Sequence, residues 1–392
     1  MPIPVNSLLV LGCGAAAIAA GNALHARLSI LRRCLIPPSI VAGLILAAPT
    51  LLLRGQGIQL EVDGTLQQLA MVALFTSVGF NLDWEALRLG GRPVAVLLGV
   101  FWLGAVLQYV LGVTLARCLG IHPLLGIAGG ALAFAGGPAT SLAFGPTLEQ
   151  AGAIGATSVA VAMAIAGILI AGFTTGAFGA FLIRKDDLRS SEESSAPAVR
   201  AEAHPGGGAS DLSSTVLLFG VAMGLGYLLN LILNYWLRPL AITLPAYTGA
   251  MVVASVIRLW LAGSPAWNAL AGTLALTWFI PLALWTLRYW ELAGLAAPMV
   301  VILIAQAPLT LALGWLAYRI VGRTFDSAFM AAGFYGFMIG TMANSFAGME
   351  EMRLRFGPSP RAVLIVSIAG GVLSDFANIV TIVVSRAWLV RP

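Results

Sequence analysis

Asp375, in the string GGVLSDFANIV, is the one acidic residue inside a long apolar stretch of this sequence. A charge near the centre of a bilayer costs about 2.5–3.5 kcal/mol by insertion scales, so the carboxyl must face protein or water. Asn378 follows three residues later, one helical neighbour away, and the two side chains present oxygens on one face. Three chemistries fit the pair: a ligand set for sodium, a proton carrier on Asp375, or a buried hydrogen-bonded pair that joins two helices. Ser374 and Thr381 flank the face and suit all three.

The other small polar residues in apolar surroundings fall in two strings, Gly136-Gly137-Pro138-Ala139-Thr140-Ser141 and Gly340-Thr341-Met342-Ala343-Asn344-Ser345. A hard sodium ion seeks several oxygens, which an unwound helix supplies as freed carbonyls, with Ser, Thr, Asn and Asp side chains adding more. An anionic group seeks the N–H groups and positive end of a half-helix. Thr140, Ser141, Thr341, Asn344 and Ser345 are therefore expected to line a polar path near the midplane. The structural alternative is that they bond to their own helix carbonyls or mediate packing.

The elements that must hold these residues follow from composition. Of 392 residues, 59% are hydrophobic and 9% charged, which excludes a soluble globular protein. Runs long enough to cross a hydrocarbon core lie near 6–25, 36–53, 65–82, 93–117 and 152–183, then near 213–236, 242–262, 268–286, 292–318 and 361–385. Two further apolar pieces, 122–146 and 327–349, are rich in Gly, Ala, Ser and Thr and interrupted by glycine or proline. They read as re-entrant hairpins. The run Leu8–Ala20 has no basic residue before it, since the first is Arg27, so it reads as a permanent span and not a signal peptide. Cys13, Cys34 and Cys118 lack metal or disulfide spacing and read as small packing residues.

All but one of the 21 basic residues are arginine, grouped between the apolar runs, a pattern of topology and not of nucleic-acid binding. With the N-terminus outside, Arg27, Arg32, Arg33, Arg88, Arg92, Arg184, Lys185 and Arg189 fall inside, against Arg54 and Arg117 outside. In the second half Arg258, Arg319, Arg323, Arg353, Arg355 and Arg361 fall inside, against Arg238, Arg288, Arg386 and Arg391. The expected orientation has both termini external, with 186–211, charged and Gly-rich, as a flexible cytoplasmic linker.

The halves repeat one another. IPPSIVAGLILA at 36–47 answers LPAYTGAMVVAS at 244–255, DWEAL at 83–87 answers YWELA at 289–293, and GGPATSLAFG at 136–145 lies over IGTMANSFAG at 339–348. An odd number of spans separates equivalent positions, which sets the halves in opposite orientation. The expected fold is an all-α polytopic membrane protein built from two inverted repeats of five transmembrane helices, 1–185 and 212–392. Each repeat carries a re-entrant hairpin before its last helix.

With these residues in view, the chain resembles the bacterial sodium/glutamate symporter family. The likeness rests on IPPSIVAGL at 36–44, FTSVGFNLDWEALRLGGR at 75–92, AFAGGPATSLAFG at 133–145 and RFGPSPRAVLIVSIAGGVLSDFANIVTIVV at 355–384. The resemblance implies two inverted five-helix halves with a re-entrant loop in each, a homodimer in the bacterial cytoplasmic membrane, and sodium-coupled uptake of glutamate by an elevator-like movement. It implies no cofactor beyond sodium as coupling ion. The chain departs from the family in its first loop, where Gly136-Gly137-Pro138-Ala139-Thr140 replaces a G-G-H-G-T-like string. In the second loop, Gly340-Thr341-Met342-Ala343-Asn344-Ser345 replaces a string with proline and threonine.

The remaining polar residues carry blander expectations. Asn81, Asp83, Glu85 and Glu291 read as caps or interface anchors, Thr76 and Ser77 as deeper residues of a cavity, and His122 as solvated. Trp236, Trp260, Trp285, Trp290 and Trp388 read as an aromatic belt at span ends. No nucleophile, metal or phosphate-loop motif of an enzyme or pump is present in the sequence. A passive channel would need a continuous pore with selectivity rings. The best reading is a secondary symporter for sodium and a small anionic solute, glutamate first; the alternative is a proton-coupled carrier of another carboxylate or amino acid on the same fold.

Overall fold

Within a bilayer a backbone polar group finds no water, so each apolar run must satisfy its own N–H and C=O groups as helix. The computed structural model describes residues 2–29, 31, 37–81, 84–189, 209–237, 244, 246–261, 265–292, 294–370 and 374–390. Its helices are α1 (Ser7–Arg27), α2 (Pro38–Gly55), α3 (Thr65–Phe80), α4 (Trp84–Cys118, bent at Gly91), α5 (Pro123–Ala128), α6 (Ala131–Phe134), α7 (Gly137–Gln150) and α8 (Ala156–Lys185). The second half supplies α9 (Ala209–Leu237), α10 (Ala246–Trp260), α11 (Asn268–Trp285), α12 (Ala296–Val321), α13 (Phe325–Ile339), α14 (Met342–Phe356), α15 (Pro360–Ile368) and α16 (Ser374–Val390). Among the described residues seven helices are long and apolar enough to cross a membrane: α1, α2, α8, α11, α12 and most of α4 and α9.

Two expected spans differ. Those at 65–82 and 242–262 become α3 and α10, only 16 and 15 residues long. That at 361–385 is described as α15 and α16, with residues 371–373 outside the described residues. A two-stranded parallel ribbon, β1 (Pro2–Val5) with β2 (Gln59–Val62), lies outside the helical reading, with Pro2 beside Gln59 and Val5 beside Val62.

The chain forms two compact units, each made of one stretch from either half. The first takes Met1–Leu82 with Glu202–Tyr289, the second Asp83–Ala201 with Trp290–Pro392. In the first unit α1 packs on α2, and α3 packs on α10 and α11. Close approach is set by small residues: a Cβ built on Gly21 would lie 2.9 Å from the Pro38 carbonyl oxygen. Its core combines Val10, Ala17, Ala42, Leu282 and Trp285. Trp285 is thus no belt residue; it is buried, and its indole donates to Thr50 Oγ1 at 2.9 Å. Trp236 and Trp260 are exposed as expected, while the Trp388 side chain lies outside the described residues.

Asp63 ties the ribbon to the start of α3. Ser7 Oγ donates to one carboxyl oxygen, and Thr65 N and Oγ1 donate to the other at 2.8 and 2.6 Å. These bonds, that from Ser7 foremost, lower its pKa to about 2. Cys13 and Cys118 are exposed free thiols, not interior packing residues, and Cys34 lies outside the described residues.

Candidate functional site

The first hairpin, in the second unit, is shaped by its backbone. His122, exposed, caps α5 by accepting from Leu124 N at 3.3 Å, and Pro123 occupies the first turn. The ascending limb then breaks at Gly129–Gly130 and ends with α6 at Phe134. Gly136 precedes Gly137, whose φ of +65° is a left-handed conformation that a side chain would strain. Pro138 follows in the first turn of α7, where its fixed φ suits the helix and its missing N–H costs nothing. At the far end Gly145 packs against Thr157 of α8, and Glu149 caps α8 by accepting from Thr157 N at 3.0 Å.

The second hairpin is shaped by side chains. Its ascending limb, α13, is one continuous helix capped by Thr324, which accepts from Ser327 N. After Gly340 the chain turns at Thr341, and Asn344 Oδ1 accepts from Thr341 N at 3.1 Å and from Thr341 Oγ1 at 2.8 Å. Asn344 Nδ2 donates to the Ile168 carbonyl of α8 at 3.0 Å. Ser345 Oγ donates to Gly333 O at 2.7 Å, lacing the two limbs together. Gly348, Gly176 and Gly179 then let α14 and α8 approach closely.

The last span packs beside these tips. A Cβ built on Gly137 would lie 3.8 Å from Thr341 Cγ2, and one on Gly370 would lie 2.5 Å from Met342 Sδ. The start of α7 and the start of α14 therefore meet at Gly137 and Thr341, with Gly370 against Met342. Helix starts offer free N–H groups and positive dipole ends to an anion. The C-terminal ends of α6 and α13 carry carbonyls suited to a cation.

The sequence candidates divide between tip and scaffold. Gly136, Ala139, Thr341 and Met342 are half-buried and Ala343 is exposed, so the tips are accessible; Gly137, Pro138, Thr140, Ser141, Asn344 and Ser345 are buried. Ser141 Oγ donates to Gly137 O at 2.8 Å, with Ala160 O at 3.2 Å, and so serves the scaffold as Asn344 and Ser345 do. Thr140 Oγ1 is bonded to none of the described residues. Asn378 is 1% exposed and doubly engaged: its Oδ1 accepts from Tyr109 OH at 3.1 Å and its Nδ2 donates to Ala131 O at 3.3 Å. Asp375 stands in the first turn of α16, and its side chain lies outside the described residues, as do Asp83 and the side chains of Glu85 and Glu291. Ser374 Oγ donates to Gly370 O, four residues before it, at 2.8 Å, and Thr381 bonds to its own helix.

In the first unit, Thr76 donates to Val72 O. Ser77 and Asn81 both engage Asn268 of α11, the latter accepting from Asn268 Nδ2 at 2.7 Å, which makes them a clasp between α3 and α11.

Sequence reasoning passed over Gln108, Gln306 and Thr310. All three are fully buried in the second unit. Gln306 Nε2 donates to Gln108 O at 2.8 Å, Gln108 Nε2 to Thr310 Oγ1 at 2.9 Å, and Thr310 Oγ1 to Gln306 O at 2.9 Å. The signal was present: two glutamines inside the apolar runs 93–117 and 292–318.

Residues 3–358 match the family model described as sodium/glutamate symporter. The chain is 30% identical over 384 residues to the sodium/glutamate symporter of Haemophilus influenzae, covering 94% of each chain. It is 29% identical over 398 residues to the sodium/glutamate symporter of Escherichia coli, covering 99% of this chain and 98% of the relative.

Proposed function

Since this chain belongs to the sodium/glutamate symporter family, a family of transporters and not of enzymes, we propose that it is a multi-pass bacterial membrane protein that carries glutamate, or a close anionic amino acid, together with sodium. The observation that carries the reading is the meeting of two helix starts, those of α7 and α14, at Gly137 and Thr341. Carboxylate groups of the substrate bind at the starts of α7 and α14, where Gly136 and Ala139 leave backbone accessible at the turn set by Gly137 and Pro138, and Thr140 supplies a hydroxyl donor. Thr341, whose own proton goes to Asn344, shapes the second tip. Ser141, Asn344 and Ser345 hold those starts in place. Sodium binds by the first turn of α16, with Asp375 as ligand and Asn378 placing its helix against α6.

The inverted repeat is supported by the order of elements, a broken or hairpin segment preceding the last span of each half. An elevator-type cycle is supported by all of these residues falling in the second unit, which would move as the cargo body while the first stays as scaffold of a homodimer. Both termini are external and the linker is cytoplasmic, in the orientation set by the arginines.

Proteoliposomes holding the purified chain should accumulate labelled glutamate under an inward sodium gradient, and not when potassium replaces sodium. Unlabelled glutamate inside should drive counterflow without net flux. Sodium-independent uptake, or the absence of counterflow, would refute the proposal.

A further inference from the structure

Gln108 and Gln306 take no part in the site just described, yet they place two carboxamides in a dry interior where an unmatched polar atom is costly. The bonding identifies which atom of each amide is oxygen. Gln306 faces the Gln108 carbonyl, which can only accept, so the atom there is nitrogen. Thr310 spends its proton on Gln306 O, so it can only accept from Gln108, and that atom is nitrogen as well. Each nitrogen thereby has a partner within the cluster. Gln108 Oε1 and Gln306 Oε1 remain buried with no donor among the described residues.

Two bare acceptors on one hydrogen-bonded cluster select for a positive partner. The break between α5 and α6 packs against the same helix: a Cβ built on Gly130 would be 3.2 Å from both Gln108 O and Gly126 O. We propose that Gln108 Oε1 and Gln306 Oε1 are ligands of a sodium ion, at a position distinct from Asp375. The ligands are neutral, so the ion keeps its charge there and offsets a substrate carboxylate carried by the same unit. The inference rests on the sodium-coupled reading, but its test does not require transport.

Thermal unfolding of the purified full-length protein is followed without glutamate, with sodium chloride replacing choline chloride at constant ionic strength, since a ligand of the folded state raises its melting temperature. The wild type should show a sodium-dependent shift. Gln306→Met should raise the sodium midpoint at least tenfold and lower the Hill coefficient for sodium in uptake. Should the Met variant not fold, Gln306→Glu keeps the shape and adds charge, and its midpoint at pH 8 should fall severalfold. An unchanged midpoint in a folded variant, or no sodium shift in the wild type, overturns the assignment in favour of a bridging water. A midpoint that responds only when glutamate is added overturns it in favour of the substrate ammonium group. Intact sodium binding without uptake would instead count against the symport reading and leave this site standing.

Discussion

The two hairpins reach the same place by different means. The first turns on Gly136-Gly137-Pro138, with a left-handed glycine and a helix-starting proline and no side-chain cap. The second turns on Thr341, Asn344 and Ser345, whose hydrogen bonds hold the tip, the opposite limb and α8 at once. Their ascending limbs differ to match, one broken at Gly129–Gly130 and the other continuous. A turn built from backbone conformation leaves nearby side chains such as Thr140 uncommitted. One built from side chains spends them on rigidity. On the proposed reading the first tip would be the more exacting surface for substrate and the second the sturdier post.

The sharpest break in that contrast is Asn344→Leu. It leaves Thr341 N and Ile168 O unmatched in a buried place, which should cost about 2–4 kcal/mol and lower the melting temperature and folded yield of the protein. Thr140→Ala should leave both nearly unchanged and raise the glutamate KM, because that hydroxyl holds nothing else among the described residues. If the two variants were equally unstable, the division into post and surface would fail.

Gly137→Ala comes next. The new methyl would meet Thr341 Cγ2 only at 3.8 Å, so space is available and the strain is conformational, about 1–2 kcal/mol. Uptake should fall about tenfold with the fold retained. Gly340→Ala instead drives a Cβ to 2.6 Å from that of Ala171, and its effect should appear in thermal stability.

Asp375→Asn extends the comparison to the start of α16. A sodium ligand there predicts an apparent sodium affinity more than tenfold weaker, about 1.4 kcal/mol, with glutamate KM little changed at saturating sodium. Sodium-independent, pH-driven uptake in the wild type, uncoupled in the variant, would make it a proton carrier.

The smallest effect belongs to Asp63, far from the tips. Its folded pKa of about 2 lies below the ordinary 3.8, so its contribution is present above pH 3.8 and is lost as pH falls through 2. Asp63→Asn should flatten the stability of the purified protein between about pH 5 and 2 by a small amount, the group being exposed.

Much of this was legible in the residues. Runs of apolar residues gave most of the helices, and Gly136, Gly137 and Gly340 amid small polar residues marked both turns. Their convergence was not legible, because nothing local says that Gly137 and Thr341 will meet. Nor does composition separate Thr140 from Ser141, since either hydroxyl can bond back to its helix and only packing against Ala160 decides. The glutamines were visible but overlooked, because an uncharged amide raises no alarm in a search for charge. The ribbon at Pro2–Val5 was masked by its prolines, which read as punctuation.

The interleaving of the two units bears on how the protein is made. Gln108 must wait for Thr310, 202 residues further along the chain, before its amide is matched. At about 5–20 residues per second, the ribosome takes roughly 10–40 s to deliver that partner. Throughout this interval the first half sits in the membrane with its buried polar groups exposed to lipid or to one another. Neither unit can close until the second half has arrived, so biogenesis calls for an insertion machinery that shelters the early helices and releases them late.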